Sequence, residues 1–248
     1  MNELLIALCF FLFGYVLNMF YVSVLYHRAL THRSIQLGQK MMSFLGATGA
    51  WFTGLDPKTW ACMHRLHHEH SDTVNDPHSP KHLGLMGVWV GQYQSYLGIQ
   101  KSLIRKDKKF SELVEDIPFD VSFINRKNLS WLPYLAHGAL SVGLYFSLGS
   151  TWIALAYFLG IMSHPVQGWM VNALAHKYGS RNFNSPDDSR NNHFVALFVF
   201  GEGYQNNHHH YPERAKFSVK WNEIDPGYML CVIAEVCGLL KINRAKIR

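Results

Sequence analysis

LLIALCFFLFGYVLNMFYVSVLYHRALTH, residues 4–32, decides the fold. Its first part, 4–26, carries no charge and is rich in Leu, Phe, Val and Tyr. About 20 such residues in a helix cross the hydrocarbon core of a bilayer. No positive cluster precedes the stretch and no small-residue cleavage site follows it, which argues against a signal peptide. It is therefore expected to be a spanning helix with His27 and His32 at its end. On an ideal helix, five steps of about 100° leave these two histidines about 140° apart. They can face one ion only if the helix ends between them, so a break at Leu30-Thr31 is predicted.

Working outward, residues 131–149 and 151–175 are two more apolar stretches joined by Gly149-Ser150. So short a join predicts an antiparallel helical hairpin, with a kink or local break at Pro165 in its second arm. Residues 41–55 are uncharged but too short for a confident span, and suit an interfacial or re-entrant helix. Residues 180–192 are polar and rich in Pro, Asp and Asn, hence a loop; residues 221–238 resume an amphipathic helical pattern. The expectation is an all-α integral membrane protein of one domain, residues 1–248. About three spans (4–26, 131–149, 151–175) and the interfacial segment carry a cytoplasmic helical body. Apolar residues make up 48% of the chain and mean hydropathy is near zero, as a few spans under a large polar body require.

Charge sets the orientation. Arg28, Arg33, Lys40, Lys58 and Arg65 follow the first stretch, residues 101–127 are basic, and Lys177 and Arg181 follow the hairpin. The N-terminal Met1-Asn2-Glu3 and the hairpin tip carry no Lys or Arg. The positive-inside rule then puts the N-terminus outside and the histidines in the cytoplasm. Net charge is +6, with clusters at 101–109 and 244–248. These clusters are either a solvated face or a contact for anionic lipid, an acidic acyl carrier or an acidic redox partner. No nucleic-acid partner is expected. Cys9, Cys62, Cys231 and Cys237 form no CxxC pair and are expected to be reduced packing residues.

Eight histidines carry the chemistry: His27 and His32; His64, His67 and His68; His176; His208 and His209. Neutral imidazole is a common metal ligand, and one ion takes about four to six ligands, so eight suit two ions. His64, His67 and His68 fall at i, i+3 and i+4, one helix face. Asn172 and His176 repeat the i, i+4 spacing. His208 and His209 point roughly 100° apart, which suits two different ions. His70 and His78 are expected near the second cluster or at the surface, and His210 facing away. His82, His137, His164 and His193 are expected to be structural or exposed. Trp51, Phe52, Trp60, Trp89 and Trp169 are candidates to line an apolar tunnel.

The set His27-Arg28-Ala29-Leu30-Thr31-His32, His64-Arg65-Leu66-His67-His68 with Asp76-Pro77-His78, Asn172-Ala173-Leu174-Ala175-His176, and Gly201-Glu202-Gly203-Tyr204-Gln205-Asn206-Asn207-His208-His209 resembles the membrane fatty acyl desaturases of the stearoyl-CoA (Δ9) type. The resemblance runs in order from residue 27 to about 227. It implies two irons held by His27, His32, His64, His67, His68, His176, His208 and His209, with Asn172 holding a water. Zinc in their place as purified is compatible with these ligands. A ninth family histidine is Gln205 here, at best a weak or water-mediated ligand. The family carries two spans before the first motif where this chain has room for one, so a helix is absent or the start incomplete. O2-dependent desaturation of a fatty acyl chain on CoA, a carrier protein or a phospholipid is implied. The chain shows no haem, Rossmann or iron–sulfur pattern, so electrons are expected from a separate ferredoxin, rubredoxin or cytochrome b5 type donor. The rival readings are a membrane di-iron lipid hydroxylase and a non-catalytic membrane metal-binding protein.

Overall fold

A computed structural model describes residues 2–244. Met1 and residues 245–248, which include most of the second basic cluster, lie outside the described residues. The described residues are helical, with two three-residue strands among them that the sequence did not lead us to expect: β1 (Ile35–Leu37) pairs antiparallel with β2 (Leu240–Ile242). The helices are α1 (Glu3–Met19), α2 (Gln39–Thr53), α3 (Pro57–His70), α4 (Pro80–Ile104), α5 (Lys108–Glu112), α6 (Phe123–Arg126), α7 (Leu132–Leu148), α8 (Thr151–Ile161), α9 (His164–Trp169), α10 (His193–Phe198), α11 (Gln205–His210) and α12 (Pro226–Val236). Two π-helical segments, Phe20–Thr31 and Met170–Leu174, continue α1 and α9.

α1 begins on Asn2, whose side-chain oxygen accepts from the Leu4 N–H at 3.0 Å. With its π continuation it forms one apolar helix, Glu3–Thr31, the only described helix long and apolar enough to cross a membrane by length and composition. α7 and α8 form the expected hairpin around Gly149, whose φ of 67° closes α7, and Ser150 caps α8. Ser150 also donates to the Glu3 carboxylate, so the tip and the start of α1 share one end of the bundle. The second arm is not one helix. α8 stops at Ile161, a few residues before Pro165, and α9 starts anew from Ser163. The C-terminal helix likewise starts at Pro226 rather than near 221, capped by Asp225.

α1 and α8 run in close contact because both present glycine where they cross. A Cβ on Gly160 would lie 2.3 Å from the Phe11 carbonyl oxygen, and one on Gly14 would lie 2.7 Å from the Ile161 nitrogen. Asn18 then reaches across to donate to the Ile161 carbonyl at 2.9 Å. Gly160→Leu is expected to destabilise the fold by at least the 1–3 kcal/mol typical of overpacking, because the obstacle is backbone. A lowered melting temperature in detergent checks this, and an unchanged one would mean the two helices separate freely.

The main core lies below this bundle. Tyr21, Val24, Leu25, Tyr26 and Leu30 of the π segment pack with Trp60, Cys62 and Leu66 of α3 and Tyr96 and Ile99 of α4. α3 starts on Asp56, whose carboxylate accepts from the Thr59 N–H and hydroxyl at 2.8 Å each, with Pro57 at the first helical position, where its missing N–H is harmless. Arg65 on α3 donates to the Thr31 carbonyl at 3.1 Å and to that of Leu30, tying the end of the π segment to α3. Cys62 and Cys231 are buried, Cys9 and Cys237 exposed, and all four are free.

Candidate metal centre

The helix does end between the two histidines, at Thr31, as expected, but a widened last turn and not a break at Leu30-Thr31 brings them together. The His32 N–H donates to the His27 carbonyl at 3.1 Å, an i→i+5 bond. A π turn closes after five residues, so it returns His32 to the face of His27, and their rings lie 4.9 Å apart. The second π segment includes Asn172 and ends at Leu174, with His176 just beyond it.

All eight histidines converge. Five of them (His27, His32, His64, His68 and His208) offer nitrogens within 4.8 Å of one another, and so do His67, His176 and His209. α3 feeds both groups, and the adjacent His208 and His209 part between them. His78, expected near the cluster or at the surface, is buried, and with Asp76 it makes a third set around His67. Neither of its ring nitrogens has a hydrogen-bond partner among the described residues.

Four carboxylates fix the rings. His27 Nδ1 lies 2.5 Å from Glu202, His67 Nδ1 3.0 Å from Asp76, His176 Nδ1 3.0 Å from Asp72 and His209 Nδ1 2.9 Å from Asp187. In the neutral tautomer Nδ1–H donates to the carboxylate and Nε2 keeps a lone pair. His67 and His209 thus point bare Nε2 atoms at each other at 3.3 Å, and His176 Nε2 is buried without a partner. In the larger group, Nε2 of His208 lies 2.9 Å from that of His27 and 3.0 Å from that of His68. Converging lone pairs repel unless a cation sits among them, so the donor set fits metal ions. Burial holds His32, His64, His68 and His208 well below the usual imidazole range and brings His209 to about 4, so these rings are neutral and free to bind. Burial alone would raise the carboxyls of Asp72, Asp76 and Asp187, but the histidine N–H groups they accept hold them below the usual carboxylate range.

Asp72, Asp187 and Glu202 were missed as functional residues in the sequence. The acidic signal was there, in a turn and a polar loop, but nothing local links Asp72 to His176 or Asp187 to His209. Glu202 also accepts from Arg28 at 2.9 Å. Arg28 is fully buried, donates to Asp225 at 3.0 Å, and lies 3.8 Å above the Phe217 ring. That ring packs 4.5 Å from His208. Gln205 is buried and its amide nitrogen donates to the Glu202 carbonyl at 2.7 Å; that of Asn172 donates to Gln92 at 3.2 Å. The lone histidines are mostly structural. His137 contacts Tyr157 and the Trp51 carbonyl, and exposed His210 stacks on Phe183.

A cavity of about 480 Å³ reaches the centre. His27, His64, His78 and Asn172 stand at the metal end, and its wall includes Trp60, Met63, Trp89, Leu97, Trp131 and Tyr134. Of the five aromatic residues expected there, only Trp60 and Trp89 are present. Phe52 instead stacks on Tyr21, Trp51 is partly exposed, and Trp169 donates to the Leu85 carbonyl behind the wall.

The sequence model for fatty acid desaturases matches residues 3–228. The chain belongs to the fatty acid desaturase family. It is 30% identical to the "Acyl-CoA C20 Delta5-desaturase" of Anemone leveillei over 93% of this chain and 71% of that one. It is 30% identical to the "Hex-5-enoyl-[acyl-carrier protein] acetylenase" of Moorena producens over 91% and 73%, and 31% identical to "Delta-9 acyl-lipid desaturase 1" of Arabidopsis thaliana over 88% and 68%. As a member of this family it is a fatty acyl desaturase, an oxidoreductase of lipid metabolism. The π segments, the carboxylate-held imidazoles and the apolar cavity are thus features of a desaturase.

Proposed function

We propose that this desaturase introduces a double bond at C9 of a long fatty acyl chain carried on CoA or in a lipid, at a di-iron centre. The ligands are His27, His32, His64, His68 and His208 on one side and His67, His176 and His209 on the other. The observation that carries this is the pair of adjacent buried nitrogen clusters, with His27 and His64 of the larger one lining an apolar cavity. Asn172 and Gln205, one turn before His176 and His209, are weak or water-mediated donors on the smaller side. The irons, when bound, supply with O2 the oxidising power to take hydrogens from two unactivated CH2 groups, which no ionisable side chain can do. The chain's own part is to hold the acyl tail extended against Trp60 and Met63 and to keep bulk water from the reacting carbons.

We read the chain as one domain with three spans: the long first helix, α7, and the arm from α8 through the second π segment. The hydrogen bond from Ser150 to Glu3 supports this, since it puts the uncharged tip and the N-terminus at one end, away from the histidines. The N-terminus is outside, the metal centre faces the cytoplasm, and a separate electron donor docks on the basic cytoplasmic surface.

Expression in a host lacking its own desaturases, in air and with a compatible donor, tests the activity. A new monounsaturated acid is expected with this chain and none with His67→Ala, and the bond position is read from the product. A hydroxylated acid, or no lipid change from folded protein, would overturn the proposal.

A further inference from the structure

The two histidine groups differ in number and, inversely, in charge. At the five-histidine group the only carboxylate on a ring among the described residues is Glu202, and Arg28 joins it to Asp225. Two carboxylates and one guanidinium leave a formal charge of −1. At the three-histidine group every ring has its own aspartate, and among the described residues none of Asp72, Asp76 and Asp187 is ion-paired to Lys or Arg. The formal charge there is −3.

These aspartates are themselves held. Asp72 accepts from the Ser79 hydroxyl at 2.6 Å and the Asp188 N–H at 2.9 Å. Asp76 accepts from the N–H groups of Asp72 at 2.7 Å and His78 at 3.0 Å. Asp187 accepts from Ser185 at 2.8 Å and from Ser189. A carboxylate fixed on Nδ1–H aims the opposite nitrogen and raises its basicity, and buried negative charge attracts a cation more strongly than it would in water.

We propose that Asp72, Asp76 and Asp187 make the three-histidine group a metal site independent of its neighbour, holding its ion by carboxylate charge in place of imidazole number. This rests on the di-metal reading above. The aspartates are positioning residues, since they touch the ligands and not the ion. Asp→Asn keeps the shape and removes the charge.

The test is metal content of the full-length protein purified in detergent, titrated with a competing chelator. Wild type is expected to hold two irons per chain. Asp76→Asn and Asp187→Asn, each folded by circular dichroism and size exclusion, are expected to keep one iron at wild-type affinity and bind the other about 10–100-fold more weakly. Asp76 and Asp187 lie on different segments, so either variant suffices if the other fails to fold. Folded variants that keep both irons at wild-type affinity, or lose both together, overturn the proposal. Wild type holding two irons without desaturating overturns the proposed activity alone; fewer than two overturns both.

Discussion

Replacing Arg28 with methionine lowers stability by about 3–5 kcal/mol, the range for breaking a buried ion pair from one side. Arg28 is fully buried and donates to Glu202 at 2.9 Å, to Asp225 at 3.0 Å and to the Ala215 carbonyl at 2.7 Å. Methionine fills much of the volume, so the loss is electrostatic: two buried carboxylates lose their shared cation. Glu202 keeps His27 and Ser23 as partners, whereas Asp225 keeps, among the described residues, only backbone N–H donors from Phe217 and Tyr228. Adding Asp225→Asn to Arg28→Met should therefore recover part of the loss. Denaturant unfolding in detergent measures both. A single-variant loss under about 1 kcal/mol would show that water reaches these carboxylates and that the network contributes little to the fold.

Stripping the protein with a chelator and reloading it with zinc should restore stability without restoring chemistry. Zinc binds imidazole well but has no redox activity. At 100 times its dissociation constant an ion that binds only the folded state adds about 2.7 kcal/mol, so the melting temperature should rise on either zinc or iron. Desaturation should return with iron and stay at background with zinc. Zinc-loaded protein that still forms the double bond would exclude a redox role for these sites. A melting temperature insensitive to both ions would mean that the buried nitrogens do not bind metal.

Much of this centre was legible because helix spacing is local information. His64, His67 and His68 share a face of α3 as i, i+3 and i+4 demand, and the neighbours His208 and His209 do part between two groups. The join at Gly149-Ser150 makes a hairpin, and the short helix expected at 41–55 is there as residues 39–53. What stayed hidden depends on partners far away in sequence. Asp72 meets His176, and Asp187 meets His209 of α11, only once the chain has folded. The aromatic wall was half misjudged because an aromatic residue serves core, interface and cavity equally well, and Phe52 took the core. α4 escaped notice because its apolar residues follow no clear stripe and Gly84, at φ 69°, interrupts it. The paired strands β1 and β2 are too short to leave a period-2 pattern.

The widened helix has a consequence for how the chain can change. Because the bond from His32 to His27 spans five residues, the two rings depend on the count of residues between them more than on their identity. Substitutions at Ala29 or Leu30 alter packing by degrees. Deleting one residue there would return the segment to the ordinary four-residue register, and one inserted residue would overshoot it. The insertion swings His32 off the face of His27, whereas the deletion leaves the two as i and i+4 on one face of an ordinary helix. Residues 28–31 are therefore a stretch open to point substitution and closed to insertion.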